Sequence, residues 1–269
     1  MRAYDNAVNS ANPVRIALVQ MRCEKAAIPE NLRAIDRHLD DAETEGADVV
    51  LFPEMSITGY ADPTRMPGAI LSVDGATVAR FLSMTRGRPA AVVAGIIEAN
   101  PGGKPFITQI VARDGAIIGV YRKRNIAEDE APWFDAGREP CVFDHAGTRF
   151  GISVCADIYK PKVFSDCAAL GARVILEAAA PGLYGEQHDR NWETGWQWWR
   201  GECHQQLGGY ARELGVHIAV ATQAGRTLDE DFPGGGYLFG PDGSCLAETA
   251  DWSEGMLIVA VPSVQSPPG

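Results

Sequence analysis

The distribution of apolar residues along the chain alternates between two periods. Val14 to Gln20 (VRIALVQ) is a β-branched-rich run that predicts a strand. From Pro29 to Glu45 the apolar residues Leu32, Ile35, Leu39 and Ala42 recur at helical spacing, and Gly46 ends the pattern. Asp48 to Pro53 (DVVLFP) is a continuous apolar run, as expected of a central strand covered on both faces. Strand, helix, strand in that order predicts a right-handed crossover and parallel pairing. A second helix is predicted over Gly75 to Arg86 and a strand over Ala91 to Glu98.

Phe106 to Arg113 and Ala116 to Arg122 flank Asp114-Gly115, the strongest hairpin signal in the chain. An antiparallel hairpin inside an α/β pattern predicts mixed sheets. Further strands are predicted at Val142 to Asp144, Phe150 to Cys155 and Arg173 to Glu177, with a helix from Pro161 to Leu170. Residues 178 to 190 show no period. Trp192, Trp196 and Trp199 then share one helical face, with Trp198 beside them. That face fits a buried core, a subunit interface or a pocket wall. Cys203, Leu207, Tyr210 and Leu214 continue the helix, and strands follow at Val216 to Ala221 and Met256 to Val261. Gly234-Gly235-Gly236 precedes a strand but fits no phosphate-binding motif. Residues 1 to 12 read as a flexible arm and 13 to 269 as one domain, with a loose Pro-containing tail.

Composition narrows the function. A formal net charge of -11 argues against nucleic acid and anionic membranes as partners. The N-terminal residues lack the apolar core of a signal peptide, and the longest apolar run, around Ala90 to Ile97, is too short to cross a bilayer. Six cysteines are scattered without a CxxC pair, which indicates neither a zinc framework nor a disulfide scaffold. The five histidines, His38, His145, His188, His204 and His217, show no ligand spacing such as HxxxH. A cytoplasmic protein that needs no metal or cofactor is expected.

Three strands end in residues that carry chemistry. Glu54 closes DVVLFP, Lys123 closes the hairpin strand IIGVYR, and Cys155 closes GISV. Singly, these fit a solvated turn carboxylate, a surface lysine and a core cysteine. Together, at the ends of three buried strands, they fit a site in which Glu54 activates a Cys155 thiol. An oxyanion formed by attack on a carbonyl would then be held by Lys123 and the Ala156 N–H.

The stretches LFPEMSITGY (51–60), GVYRKRNI (119–126) and GISVCAD (151–157) resemble the three signature blocks of the nitrilase, or carbon–nitrogen hydrolase, superfamily. Their order fits, with 69 residues from Glu54 to Lys123 (123 − 54) and 32 from Lys123 to Cys155 (155 − 123). The resemblance extends through AVATQAG (219–225) to PDGSCLAET (241–249). It implies a Glu-Lys-Cys triad on a four-layer α-β-β-α sandwich, paired with a second subunit as a homodimer or higher homo-oligomer. It also implies a second glutamate, carried here by Glu130 ahead of Trp133, Phe134 and Gly137, and substrate contacts from Tyr60, Trp133, Ala156 and Tyr159.

Two departures bear on substrate. Nitrile-cleaving members typically place tryptophan and glutamate after the nucleophile, where this chain has Ala156 and Asp157, which points to amides. Members that take carbamoyl or carboxylate-bearing substrates often have an arginine shortly afterwards, where this chain has Ile158-Tyr159-Lys160. No further domain follows the hydrolase unit, so free release of ammonia is expected. An amidase acting through a cysteine thioester is the first expectation. The alternatives are an N-carbamoyl hydrolase, a nitrilase, or a catalytically silent interaction protein with this fold.

Overall fold

The computed structural model describes residues 12–183 and 191–262. The expected arm over residues 1 to 12, apart from residue 12, lies outside these, as does the end of the tail. In chain order the elements begin β1 (Val14–Gln20), α1 (Ile28–Thr44), β2 (Val49–Leu51), β3 (Ile70–Leu71), α2 (Ala76–Met84) and β4 (Ala91–Glu98). The hairpin β5 (Phe106–Arg113) and β6 (Ala116–Arg122) follows, then β7 (Val142–His145), β8 (Thr148–Val154), α3 (Pro161–Ala169) and β9 (Val174–Ala179). Helix α4 (Trp192–Glu202) runs through a π turn (Cys203–Leu207) into α5 (Gly208–Leu214). Strands β10 (His217–Thr222), β11 (Ala224–Arg226), β12 (Asp231–Pro233), β13 (Gly236–Phe239), β14 (Cys245–Glu248) and β15 (Gly255–Val261) complete the chain.

The strands form two large mixed sheets, β15-β1-β2-β4-β5-β6 and β14-β13-β10-β9-β8-β7, with β3 on the edge of β4 and a separate β11-β12 pair. As the crossover predicts, β1, β2 and β4 pair in parallel, whereas β4-β5 and β5-β6 are antiparallel. In the turn between β5 and β6, Asp114 (φ 48) and Gly115 (φ 79) are both left-handed, the requirement of a type I′ hairpin.

Alternation along the first sheet places its two faces in different cores. Ile16, Leu18, Val49, Leu51, Val93 and Val111 join the core between the sheets. Their neighbours Ala17, Val19, Val50, Val92 and Ala112 instead meet Leu32, Ile35 and Leu39 of α1 and Val78 and Phe81 of α2. Each such leucine or isoleucine contributes about 1.5–3 kcal/mol by leaving water. Helices α3 and α5 cover the second sheet, giving α-β-β-α layering with helices outside and sheets inside. Parallel strands of both sheets end on the same side of the core, and the turns that follow β2, β6 and β8 carry Glu54, Lys123 and Cys155.

Some elements differ from expectation. Strand β2 is shorter than DVVLFP because Pro53 cannot donate to the ladder. Strand β9 runs on past Glu177 to Ala179 because it stays paired with β10. The short strands β3, β11, β12 and β14 lack any period of their own.

Candidate active site

Strand β2 delivers Glu54 into a turn whose next residue, Met55, has φ 48. Strand β6 delivers Lys123, whose N–H donates to Ile107 O at 2.8 Å. Strand β8 ends at Cys155, itself left-handed at φ 45, where the chain turns abruptly into a single 3-10 segment, Cys155–Tyr159. A non-glycine residue held there is strained, and the surrounding structure must hold it in place.

Two glycines make room for these turns. A Cβ on Gly95 of β4 would lie 2.3 Å from Met55 N, so only glycine lets β4 pass beneath the Glu54 turn. A Cβ on Gly137 would lie 2.2 Å from Arg122 O; instead the Gly137 N–H donates to Lys123 O at 2.8 Å. Gly137, part of the signature that singles out Glu130, thus braces the lysine's backbone.

The three side chains meet, and Glu130 joins them. Lys123 Nζ donates to Glu54 Oε1 at 2.8 Å and to Glu130 Oε1 and Oε2 at 2.6 and 2.9 Å, all buried. Glu130 Oε1 also accepts from Tyr60 OH at 2.6 Å, and Oε2 from Ala127 N at 2.8 Å. The remaining oxygen of Glu54 accepts from Ala180 N at 3.1 Å. These partners fix both carboxylates around one ammonium.

Burial pushes the Glu54 carboxyl up to about 7 against the pull of Lys123, with Glu130 adding to the rise. Burial likewise opposes the Lys123 charge, but Glu54 and Glu130 outweigh it and hold the ammonium well above the usual lysine range. Burial also pushes Glu130 up, yet Lys123 and the hydrogen bonds to it leave it below the usual carboxylate range. Burial, and then the Glu54 charge, hold the Cys155 thiol well above its ordinary range despite Lys123. The resting arrangement is therefore a thiol beside a carboxyl that titrates near neutrality, with Lys123 and Glu130 as a fixed ion pair.

A cavity of about 150 Å³ opens onto Lys123, Glu130 and Cys155. Of the residues expected to contact substrate, Tyr60, Ala156 and Tyr159 line it. Trp133 does not; it sits partly buried against the inter-sheet core in the turn that carries Glu130. The opposite wall comes from Trp198 and Trp199 of α4, so the tryptophan-rich helix serves as a pocket wall. Trp199 is held there by a hydrogen bond from its Nε1 to Thr222 Oγ1 at 2.9 Å.

Asp157 acts beneath the surface of the site. It accepts from Tyr121 OH (2.6 Å), Val154 N (3.0 Å), Arg124 N (3.2 Å) and Asn125 N (2.7 Å). Asn125 Nδ2 donates to Ala156 O at 2.6 Å. One buried carboxyl thus ties the turn after Lys123 to the turn at Cys155. The two other cations nearby are turned elsewhere: Arg124 pairs with Asp166 at 2.7 Å, and Lys160 Nζ donates to Arg124 O at 3.0 Å.

Known proteins share this arrangement of elements. A Nesterenkonia AN1 amidase from the nitrilase superfamily superposes with a TM-score of 0.78 at 27% identity, covering 94% of this chain and 92% of that one. A glutamine-dependent NAD(+) synthetase of Acinetobacter baylyi is 25% identical over 247 residues, 89% of this chain and 42% of the relative. A formamidase of Allorhizobium ampelinum is 28% identical over 179 residues, 63% of this chain and 52% of the relative. The chain spans less than half the length of the NAD(+) synthetases it matches. No helix of the described residues is long and apolar enough to cross a membrane. The carbon-nitrogen hydrolase family model matches residues 15–266, and the chain belongs to that family of hydrolytic enzymes.

Proposed function

We propose that this enzyme hydrolyses a small, uncharged amide, with Cys155 as nucleophile. The observation that carries the reading is the buried contact of Glu54 and Glu130 with one lysine at the floor of a cavity that also exposes Cys155. One Nesterenkonia AN1 amidase structure shows the acetamide moiety of fluoroacetamide added covalently at its active site cysteine, which supports the same role here.

In this reading Cys155 Sγ attacks the amide carbon as Glu54 takes the thiol proton. A carboxyl near 7 suits a group that must accept and then return a proton. Because the thiol is held protonated, transfer accompanies attack and no standing thiolate is needed. The Ala156 N–H and Lys123 Nζ hold the oxyanion, each worth on the order of 3 kcal/mol. Glu54 returns the proton to the leaving nitrogen, ammonia or an amine departs, and a thioester remains on Cys155. Glu54 next takes a proton from water, which attacks the thioester. Collapse releases the carboxylic acid and restores the thiol. Glu130 keeps Lys123 charged and aimed.

Cavity size and charge set the substrate class. A cavity of about 150 Å³ favours a small acyl group. Among the described residues lining it, Lys123 is the one cation, and two carboxylates already surround it. A substrate carboxylate needs a free cation, ideally an arginine fork, and neither Arg124 nor Lys160 lines the cavity. The similarity to glutamine-dependent synthetases favours a second reading, a glutamine amide, whose α-carboxylate this cavity serves less well. Ammonia release from formamide, acetamide, glutamine, a carbamoyl amino acid and acetonitrile, compared under one condition, decides between them. A neutral amide should show the highest kcat/KM. A higher value for glutamine or the carbamoyl acid would overturn the substrate class.

The resemblance also implies pairing with a second subunit, and we propose a homodimer. Sedimentation of only a 28.9 kDa species at micromolar concentration would refute it.

A further inference from the structure

Two irregularities in regular elements converge on one spot outside the cavity. The first is the π turn Cys203–Leu207 between α4 and α5, which carries His204. The second is a bulge in the β13-β14 ladder, where register shifts between Leu238 and Phe239. In a regular strand Cys245 and Glu248, three residues apart, would face opposite sides. The bulge pairs them with Phe239 and Tyr237, which share a face, so both side chains emerge together. His204 packs edge-on against those same two rings, with centroids 5.3 Å from Phe239 and 6.2 Å from Tyr237.

The result is a nitrogen, a sulfur and a carboxylate oxygen that all lie within 4.8 Å of one another. His204 Nε2 and Glu248 Oε2 are 3.0 Å apart. Ligand atoms around a tetrahedral zinc stand about 3.5 Å apart, so closure requires movement on the order of 1 Å. We propose that His204, Cys245 and Glu248 form a binding site for a zinc-class divalent cation. Imidazole, thiolate and carboxylate together suit that class better than magnesium or calcium, which prefer all-oxygen sites. Three protein ligands leave a fourth position for water.

Arg200, one turn before His204, sets the affinity. Its Nε and Nη2 donate to Glu248 Oε2 and Oε1 at 2.9 and 2.8 Å, so a cation must share the carboxylate with a guanidinium. Binding releases the thiol proton to solvent and leaves Arg200 on one oxygen. The bound ion would cross-link the end of α4, the helix that supplies Trp198 and Trp199 to the cavity wall, to β14. The spacing of 41 residues between His204 and Cys245 (245 − 204) is why no sequence motif marks the cluster.

The test uses the full chain carrying Cys155→Ala, so that the active-site thiol cannot bind the metal. Calorimetric titration with zinc chloride should give one site per chain. His204→Ala and Cys245→Ser in that background should each weaken it at least tenfold. Arg200→Gln should instead tighten binding, which adventitious surface binding would not do. With cobalt(II), a thiolate-to-metal charge-transfer band should appear and vanish in Cys245→Ser. Should one ligand variant fail to fold, the other and the cobalt band still decide. No stoichiometric zinc binding, or binding unchanged in both ligand variants, would overturn the proposal.

Discussion

Glu130 holds Lys123 with both carboxylate oxygens, at 2.6 and 2.9 Å, whereas Glu54 uses only one oxygen at 2.8 Å. The asymmetry separates their tasks. Glu130 is bound into a static pair, whereas Glu54 keeps its proton exchangeable. Replacing Glu130 by Gln should leave Lys123 poorly charged and misaimed, cutting kcat by on the order of a hundredfold. Its pH profile should keep the Glu54 limb. Loss of that limb in Glu130→Gln would show that the two roles are reversed.

Cys155→Ala should abolish turnover and keep the melting temperature, since a small residue fits the same turn. The left-handed strain at this position falls on alanine and cysteine alike, so the substitution leaves it unchanged. Ammonia release above background from this variant would remove Cys155 as nucleophile.

Glu54→Gln and Lys123→Ala should each lower kcat by at least a hundredfold, and the double variant by little more than either alone, because both act on one transition state. Full additivity in single-turnover assays would count against a shared site.

The pH dependence follows from the environment of Glu54. Its carboxyl titrates near 7 and must be ionised to accept the thiol proton. Below that value the protonated form predominates, so kcat/KM should rise about tenfold per pH unit and level off above about pH 7. A flat profile from about pH 5 to about pH 7 in the wild-type enzyme would refute the assignment.

Asp157→Ala should lower both stability and rate. It strands buried donors on Tyr121, Val154 and Asn125 and costs about 1–3 kcal/mol for each group left unsatisfied. Thermal melting and kcat should fall together, in contrast to Cys155→Ala. A normal melting temperature would show that the tie between the two turns is dispensable.

Glu54, Lys123 and Cys155 were legible because each follows an apolar run that had to be a buried strand, and parallel strands place their ends together. The part played by Asp157 was not legible, since three of its four partners, Tyr121, Arg124 and Asn125, lie 32 to 36 residues away along the chain. Ala180 was missed because β9 was expected to stop at Glu177, a charged residue that the structure nonetheless buries completely. The tryptophans at 192, 196 and 199 showed a helical face, but periodicity says only that a face is covered, not by what. Trp198, beside that face, reaches the cavity together with Trp199.

The close approach of the Met55 backbone to Gly95 has an outcome for mutational tolerance. Position 95 carries no reactive group, yet any side chain there would press on the backbone of Met55 and lever the neighbouring Glu54 out of line. A saturation scan scored by activity would therefore mark Gly95 as intolerant as the nucleophile itself. The two would part company in a scan scored by protein abundance, where small replacements of Cys155 such as alanine and serine pass and Gly95 variants fail.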